Sequence, residues 1–141
     1  MARIEGESIV WIFMHLVCLV LTIIFRKRFS CDFYTYIGGG IILLGLIIWI
    51  SAKNAMGQIK VGIIPYKFVK SGIYSKIRHP LYLGVKLIFL GLAISLRSII
   101  GLLVVLIVLV LWHYWREKQE EKFLIKRYGK RYLDYKKKTF F

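Results

Sequence analysis

The chain has 141 residues, 58% of them hydrophobic, and it sets 22 Lys plus Arg against 7 Asp plus Glu for a formal charge of +15. A water-soluble domain this small could not hide so much apolar surface, so the apolar and basic residues must be segregated, and the chain belongs to a membrane. Two cysteines, Cys18 in an apolar run and Cys31 in a short loop, give neither a disulfide framework nor a zinc-binding spacing.

Four apolar runs approach the roughly 20 residues that a helix needs to cross a bilayer. The first runs from Ile9 to Phe25 and the second from Tyr36 to Ala52, both without formal charge. Glu5 and Glu7 before the first run, and Arg26-Lys27-Arg28 after it, argue for a retained span rather than a cleaved signal peptide. Gly38, Gly39, Gly40 and Gly45 in the second run, with Gly84, Gly91 and Ala93 in the third, predict close helix contact. The third run, Leu81 to Leu96, contains Lys86, about 9 Å along the helix from Pro80 at a rise of ~1.5 Å per residue. That lysine is expected to snorkel to the interface, with a place inside a polar cavity as the alternative. The fourth run, Ser98 to Trp115, is the most apolar, and only a tight turn separates it from the third, so the two are expected to pair as a hairpin.

The expected fold is therefore all-α: a single polytopic membrane domain over residues 1–141, with about four transmembrane helices (9–25, 36–52, 81–96 and 98–115) and polar segments at 53–80 and 116–141. Arg3, the lysines and Arg78 of the middle segment, and the ten basic residues of the tail fall on one side. Arg26, Lys27, Arg28 and Arg97 fall on the other. The excess of positive charge puts both termini and both polar segments in the cytoplasm, although Arg26-Lys27-Arg28 argues the other way for the first span alone.

Two polar clusters carry the chemistry. In Gly72-Ile73-Tyr74-Ser75-Lys76-Ile77-Arg78-His79-Pro80-Leu81-Tyr82-Leu83-Gly84, Pro80 suits the first turn of a helix and pushes His79 out of helical geometry at the membrane face. The following amides form a helix N-terminus that favours an anion, reinforced by Arg78 and Lys76. The second cluster comes after the fourth span at Arg116-Glu117-Lys118-Gln119-Glu120-Glu121, where helical spacing sets Arg116 beside Glu120 and Glu117 beside Glu121. Three of the seven acids gathered here, in so basic a chain, predict either a negative site or a solvated helix face. His15 reads as an intramembrane polar contact, His113 as an interface residue, and Trp112, Tyr114 and Trp115 as an interfacial aromatic belt.

Together the clusters resemble the isoprenylcysteine carboxyl methyltransferase and phospholipid methyltransferase superfamily of integral membrane enzymes. Its G-x-Y-x-x-x-R-H-P-x-Y-x-G stretch is met by Gly72, Tyr74, Arg78, His79, Pro80, Tyr82 and Gly84. Its R-x-x-x-E-E-x-x-L stretch and spaced tyrosines are met by Arg116, Glu120, Glu121, Leu124, Tyr128, Gly129, Tyr132 and Tyr135. The family tail usually continues through an apolar, proline-containing segment, where this sequence instead has Lys136-Lys137-Lys138-Thr139-Phe140-Phe141.

The resemblance implies S-adenosylmethionine as methyl donor, held on the cytoplasmic side by Tyr74, Arg78, His79, Pro80, Leu81, Tyr82, Gly84, Glu120 and Glu121. Arg116 and Glu120 would act at the reacting centre, without a metal. It also implies a lipid-like acceptor entering from the bilayer. A carboxylate on a prenylated or other lipidated molecule is the first expectation, because it needs no base; a phospholipid amine or a small thiol is the alternative. A sterol-reductase-like membrane reductase, which shares an R-H-P-type segment, and a non-catalytic membrane adaptor remain as readings from other classes. The basic tail is expected to hold anionic lipid rather than nucleic acid.

Overall fold

The computed structural model describes residues 2–26, 32–56 and 68–140; Lys27, Arg28, Cys31, Lys60 and Lys67 lie outside the described residues. Among the described residues the fold is all-helical, and the protein is a helical membrane protein. The helices are α1 (Ala2–Ile24), α2 (Phe33–Met56), a 3-10 turn at Gly72–Ser75, α3 (Pro80–Ser95), α4 (Ile99–Val104), a π-helical turn at Val105–Leu109, α5 (Val110–Tyr128) and α6 (Lys130–Lys138). Helices α4 and α5 join through the π turn into one rod, Ile99–Tyr128.

That rod, at 30 residues, and α2, at 24, are long and apolar enough to cross a membrane. The apolar part of α1, Ile12–Ile24, and helix α3 are shorter. At 16 residues, α3 rises about 24 Å, less than the ~30 Å hydrocarbon layer. Apolar side chains such as Leu43, Ile107 and Leu111 stand exposed along these helices, which in a bilayer places them against lipid.

The expected small-residue contact is present between α2 and α3. A Cβ added at Gly45 would come within 2.8 Å of the Gly84 carbonyl oxygen, and one at Gly91 within 2.6 Å of the Gly38 carbonyl oxygen. The two backbones touch, and only glycine allows that approach. Gly39 and Gly40 meet nothing within 4 Å, so of the glycine triplet Gly38 alone takes part in the contact.

Local chemistry sets the helix ends. Pro80 opens α3 at a position where its missing N–H costs nothing. Ser98 caps α4 by accepting from the Gly101 amide at 2.9 Å. Gly129, at φ +51°, ends α5 in a conformation that L side chains rarely adopt and redirects the chain into α6. On the α3–α4 turn, Arg97 pairs with Asp32 at 2.5 Å and lies over the Tyr34 ring, tying the start of α2 to that turn.

The π turn sets the rotation of α5. Gly101, Val105, Leu109 and His113 are all buried at four-residue intervals. In a regular α-helix each such step overshoots a full turn by about 40°. The wider π turn absorbs part of that drift, so the buried face continues from Leu109 through His113 toward the glutamates of α5. Cys18, Ala93, Val105 and Leu109 form the core between the apolar helices, and Leu124, Tyr132 and Tyr135, with Phe68 packed on them, form a second core at the polar end.

The packing predicts opposite outcomes for two glycines. Gly91→Val forces a side chain into the α2 backbone and should cost about 1–3 kcal/mol. Gly39→Ala meets open space and should be neutral or stabilising by up to about 1 kcal/mol through helix propensity. Thermal unfolding of both variants in detergent, followed by circular dichroism, measures the difference.

Candidate functional site

The site forms where the first turn of α3, the middle of α5 and the inner face of α6 converge. His79 is the N-cap of α3, with φ −121° and ψ 55°, and its ring is buried without making a capping hydrogen bond. The two sequence clusters, 43 residues apart at their ion pair, meet directly. Arg78 Nη1 donates to Glu121 Oε1 at 2.7 Å. His79 Nδ1 lies 3.8 Å from Glu120 Oε2, and His79 Nε2 lies 3.7 Å from Glu121 Oε1.

The C-terminal segment holds this junction from a third direction. Lys136 Nζ donates to Glu121 Oε2 at 2.6 Å, so Glu121 bridges two cations. Tyr135 donates its hydroxyl to the Tyr74 carbonyl at 2.6 Å. The Phe140 amide donates to the Lys76 carbonyl at 2.8 Å and the Arg78 amide to the Phe140 carbonyl at 3.2 Å, a parallel β-bridge between Ile77 and Phe140 that straps the tail across the turn before His79.

Charge is distributed unequally between the adjacent glutamates. The His79 ring, with Lys136 and Arg78, holds the Glu121 carboxyl down at about 2 against the opposing effect of burial. Burial pushes the Glu120 carboxyl up, opposed by His79, a hydrogen bond from Tyr82 and the charge of Arg116. Burial likewise raises the hydroxyls of Tyr74 and Tyr132, and that of Tyr135 to about 12. Glu121 is thus a fixed anion spent on its partners, while Glu120 is the more easily protonated of the two.

A small cavity of about 20 Å³ lies at the junction, lined by Tyr74, Arg78, His79, Glu120, Tyr132 and Tyr135 among others. An open groove of about 430 Å³ adjoins it along the shared residues Phe68 and Val69 and continues to Lys70, Tyr128 and Arg131. Three buried polar atoms at the junction have no hydrogen-bond partner: His79 Nε2, Arg78 Nε and the Tyr132 hydroxyl. Unsatisfied groups of this kind cost about 1–3 kcal/mol each, which is unusual in a folded interior and common where a ligand completes the set.

Of the residues expected at the site, the structure brings Tyr74, Arg78, His79, Tyr82, Glu120 and Glu121 together, with Arg116 within electrostatic range of Glu120. Pro80 and Leu81 form the first turn of α3 beside them. Gly84 turns toward α2 instead, where an added Cβ would strike Trp49 and the Gly45 carbonyl, so its place is in helix packing. Lys86 pairs with Glu117 at 2.7 Å rather than reaching for the interface alone. Sequence reasoning did not put Tyr132, Tyr135 and Lys136 into the site, although the i, i+3 spacing of Tyr132 and Tyr135 puts both rings on one face of a helix.

With this geometry in place, the comparisons with known proteins are direct. Residues 33–131 match the model of the phospholipid methyltransferase family. The chain is similar to protein-S-isoprenylcysteine O-methyltransferases of Saccharomyces cerevisiae, at 32% identity over 124 residues, and of Schizosaccharomyces pombe, at 33% over 123. Each match covers 82% of this chain and 51% of the relative. The enzyme of that name from Mus musculus matches at 37% over 77 residues, 52% of this chain and 26% of the relative. This chain belongs to the phospholipid methyltransferase family, a family of methyltransferase enzymes, and it spans about half the length of the fungal relatives it matches.

The depressed Glu121 carboxyl gives a pH signature. Its folded-state value of about 2 lies below the ordinary carboxylate value, so its contribution is fully present above pH ~4.5 and is lost as pH falls toward ~2. Glu121→Gln should lower stability at neutral pH by about 3 kcal/mol, because it also strands Arg78. It should also flatten the stability curve between pH ~5 and ~2 relative to the parent, a difference that unfolding midpoints across that range measure.

Proposed function

We propose that the chain is an S-adenosylmethionine-dependent methyltransferase whose site lies at the cytoplasmic face of a membrane and whose acceptor is the carboxylate of a prenylated or otherwise lipidated molecule. The reading rests above all on one observation: two distant clusters converge on a buried junction whose Arg78 Nε, His79 Nε2 and Tyr132 hydroxyl lack partners. The names of the fungal relatives, which specify isoprenylcysteine and O-methylation, guide the choice of acceptor. Family membership favours methyl transfer over the reductase and adaptor readings.

The donor set fits the amino acid end of such a nucleotide. Arg78 and His79 offer N–H groups to a carboxylate beside the N-terminal turn of α3, where Pro80 and Leu81 begin the helix. Glu120 suits an ammonium or ribose hydroxyls, whereas Glu121 is already committed to Arg78 and Lys136. Tyr74 lines the cavity, and Tyr82 hydrogen-bonds Glu120 and lies against His79. The enclosed cavity is too small for a whole nucleoside, and the adjoining groove offers the remaining volume once the junction widens.

When bound, S-adenosylmethionine supplies an electrophilic methyl group on a sulfonium. The protein's part is to align that methyl with the acceptor oxygen and to exclude water from both. Arg116 and Glu120, one helical turn apart on α5, bracket the reacting centre with opposite charges. A carboxylate acceptor is already a nucleophile at neutral pH, so no side chain has to remove a proton.

The same reading includes a multi-pass topology: four crossings, the last two as a hairpin, one membrane-embedded domain, and both termini in the cytoplasm. The exposed Lys130, Arg131, Lys137 and Lys138 of α6 then face anionic lipid, each worth roughly 1 kcal/mol near the surface.

Calorimetry on detergent-purified protein tests the donor site directly. S-adenosylhomocysteine should bind in the micromolar range, and His79→Ala or Glu120→Ala should abolish binding while circular dichroism stays unchanged; a folded parent that binds none refutes the proposal. Topology is tested separately with single cysteines placed at Lys53 and Lys137 in a Cys18→Ala, Cys31→Ser background. Both should react with an impermeant maleimide only from the cytoplasmic side of sealed vesicles.

A further inference from the structure

A file of polar rings leads away from the junction into the apolar helices, and the donor site does not account for its inner members, His113 and His15. The Tyr82 ring lies 6.0 Å from that of His79, the His113 ring 5.3 Å from that of Tyr82, and the His15 ring stacks on His113 at 5.3 Å. His113 is 0% exposed, and both of its ring nitrogens lack a hydrogen-bond partner. Polar side chains within a membrane-spanning region are costly and are kept where they serve a ligand or a path. Beside this file, Lys86 of α3 and Glu117 of α5 form an ion pair at 2.7 Å, with the two side chains 23% and 15% exposed, so the surroundings can reach the pair, whereas His113 is fully buried. Glu117 is one helical turn beyond His113, on the face that the π turn has aligned.

We propose that Lys86, with His113 behind it, is the subsite for the anionic head of the lipid acceptor, and that Glu117 holds that subsite as an internal carboxylate until the acceptor's carboxylate displaces it. The inference rests on the methyl-transfer reading and adds the group that selects the acceptor. A head group arriving from the bilayer meets Lys86 before it meets the junction. A carboxylate can take the position that the Glu117 carboxylate holds, with an imidazole N–H of His113 as second donor. An ammonium head would instead be repelled by Lys86 and drawn to Glu117, so the two acceptor chemistries make opposite demands on the pair.

The experiment uses detergent-purified protein, with N-acetyl-S-farnesylcysteine as the acid probe and its carboxamide as a probe with the same tail and no charge. The parent should prefer the acid by about tenfold or more in acceptor affinity. Glu117→Gln, which removes the competing carboxylate, should lower the KM for the acid by about threefold or more. The double variant Lys86→Met with Glu117→Gln leaves no unpaired charge behind and should reduce the preference for acid over amide to within about twofold. His113→Phe, which removes two unsatisfied nitrogens from an apolar setting, should raise the unfolding midpoint while raising the acceptor KM about fivefold or more; a purely structural His113 would not separate the two readouts. In all three variants S-adenosylhomocysteine should bind as in the parent. A parent that binds it but shows no preference for the acid, a preference that survives in the double variant, or a higher KM in Glu117→Gln overturns this subsite and leaves the donor site standing. A parent that fails to bind S-adenosylhomocysteine overturns both.

Discussion

The structure depends on a single buried junction of charge, the contact of Arg78 and His79 with Glu120 and Glu121. Ion pairs with little exposure are expensive to form and more expensive to break, because either partner left alone keeps its desolvation cost. Here Arg78 and Glu121 are 14% and 12% exposed at their side chains, and Lys136 satisfies the second oxygen of the same carboxylate. One glutamate thereby ties together three elements that share no local sequence: the turn before α3, the middle of α5 and the inner face of α6. The junction specifies how the polar ends of the helices must sit, whereas the apolar faces alone would tolerate many arrangements.

The apolar helices supply a fixed depth and rotation, which the junction alone cannot. The Gly38–Gly91 and Gly45–Gly84 contacts let α2 and α3 touch backbone to backbone, which sets the height of Pro80 and therefore of His79. On the other side the π turn orients α5, so that His113, Glu117 and Glu121 share a face with Leu109. In a strictly regular helix that stripe would wind away from the interior within two turns. A defect in the hydrogen-bond ladder of the most apolar segment is thus what directs the acidic cluster inward.

Much of this was legible in the sequence, and the rest was not for identifiable reasons. His79 could be singled out because proline constrains the residue before it, whereas the glutamates, which spacing alone left open to a solvated helix face, became site residues through the resemblance that the two clusters carry together. The all-helical class and the close approach of glycines at 38, 45, 84 and 91 followed from composition and period. Lys86 was read as snorkelling because a lone cation in an apolar run has that option; its partner Glu117 lies 31 residues away, and only the packing of α3 on α5 joins them. The strap formed by Tyr135, Lys136 and Phe140 was illegible for the same reason, since no periodicity shows that a basic tail will form a β-bridge with Ile77. The length of α3 could be counted from the sequence, but the level at which Pro80 and the junction sit against α2 depends on the glycine contacts between the two helices.

The strap also bears on how such a site can be both closed and accessible. The Arg78 amide and the Lys76 carbonyl are bonded to Phe140, and the Tyr74 carbonyl to Tyr135, so the loop that carries His79 is held by a segment that is itself anchored by the buried rings of Tyr132 and Tyr135. The small cavity at the junction is lined by Tyr132 and Tyr135 of α6, and the wide groove beside it reaches Arg131 of the same helix. The unpartnered atoms of Arg78, His79 and Tyr132 therefore sit between a helix and the loop to which that helix is tied. The same hydrogen bonds that seat the basic tail hold the loop before His79, and this couples an exposed tail to the order of a buried site.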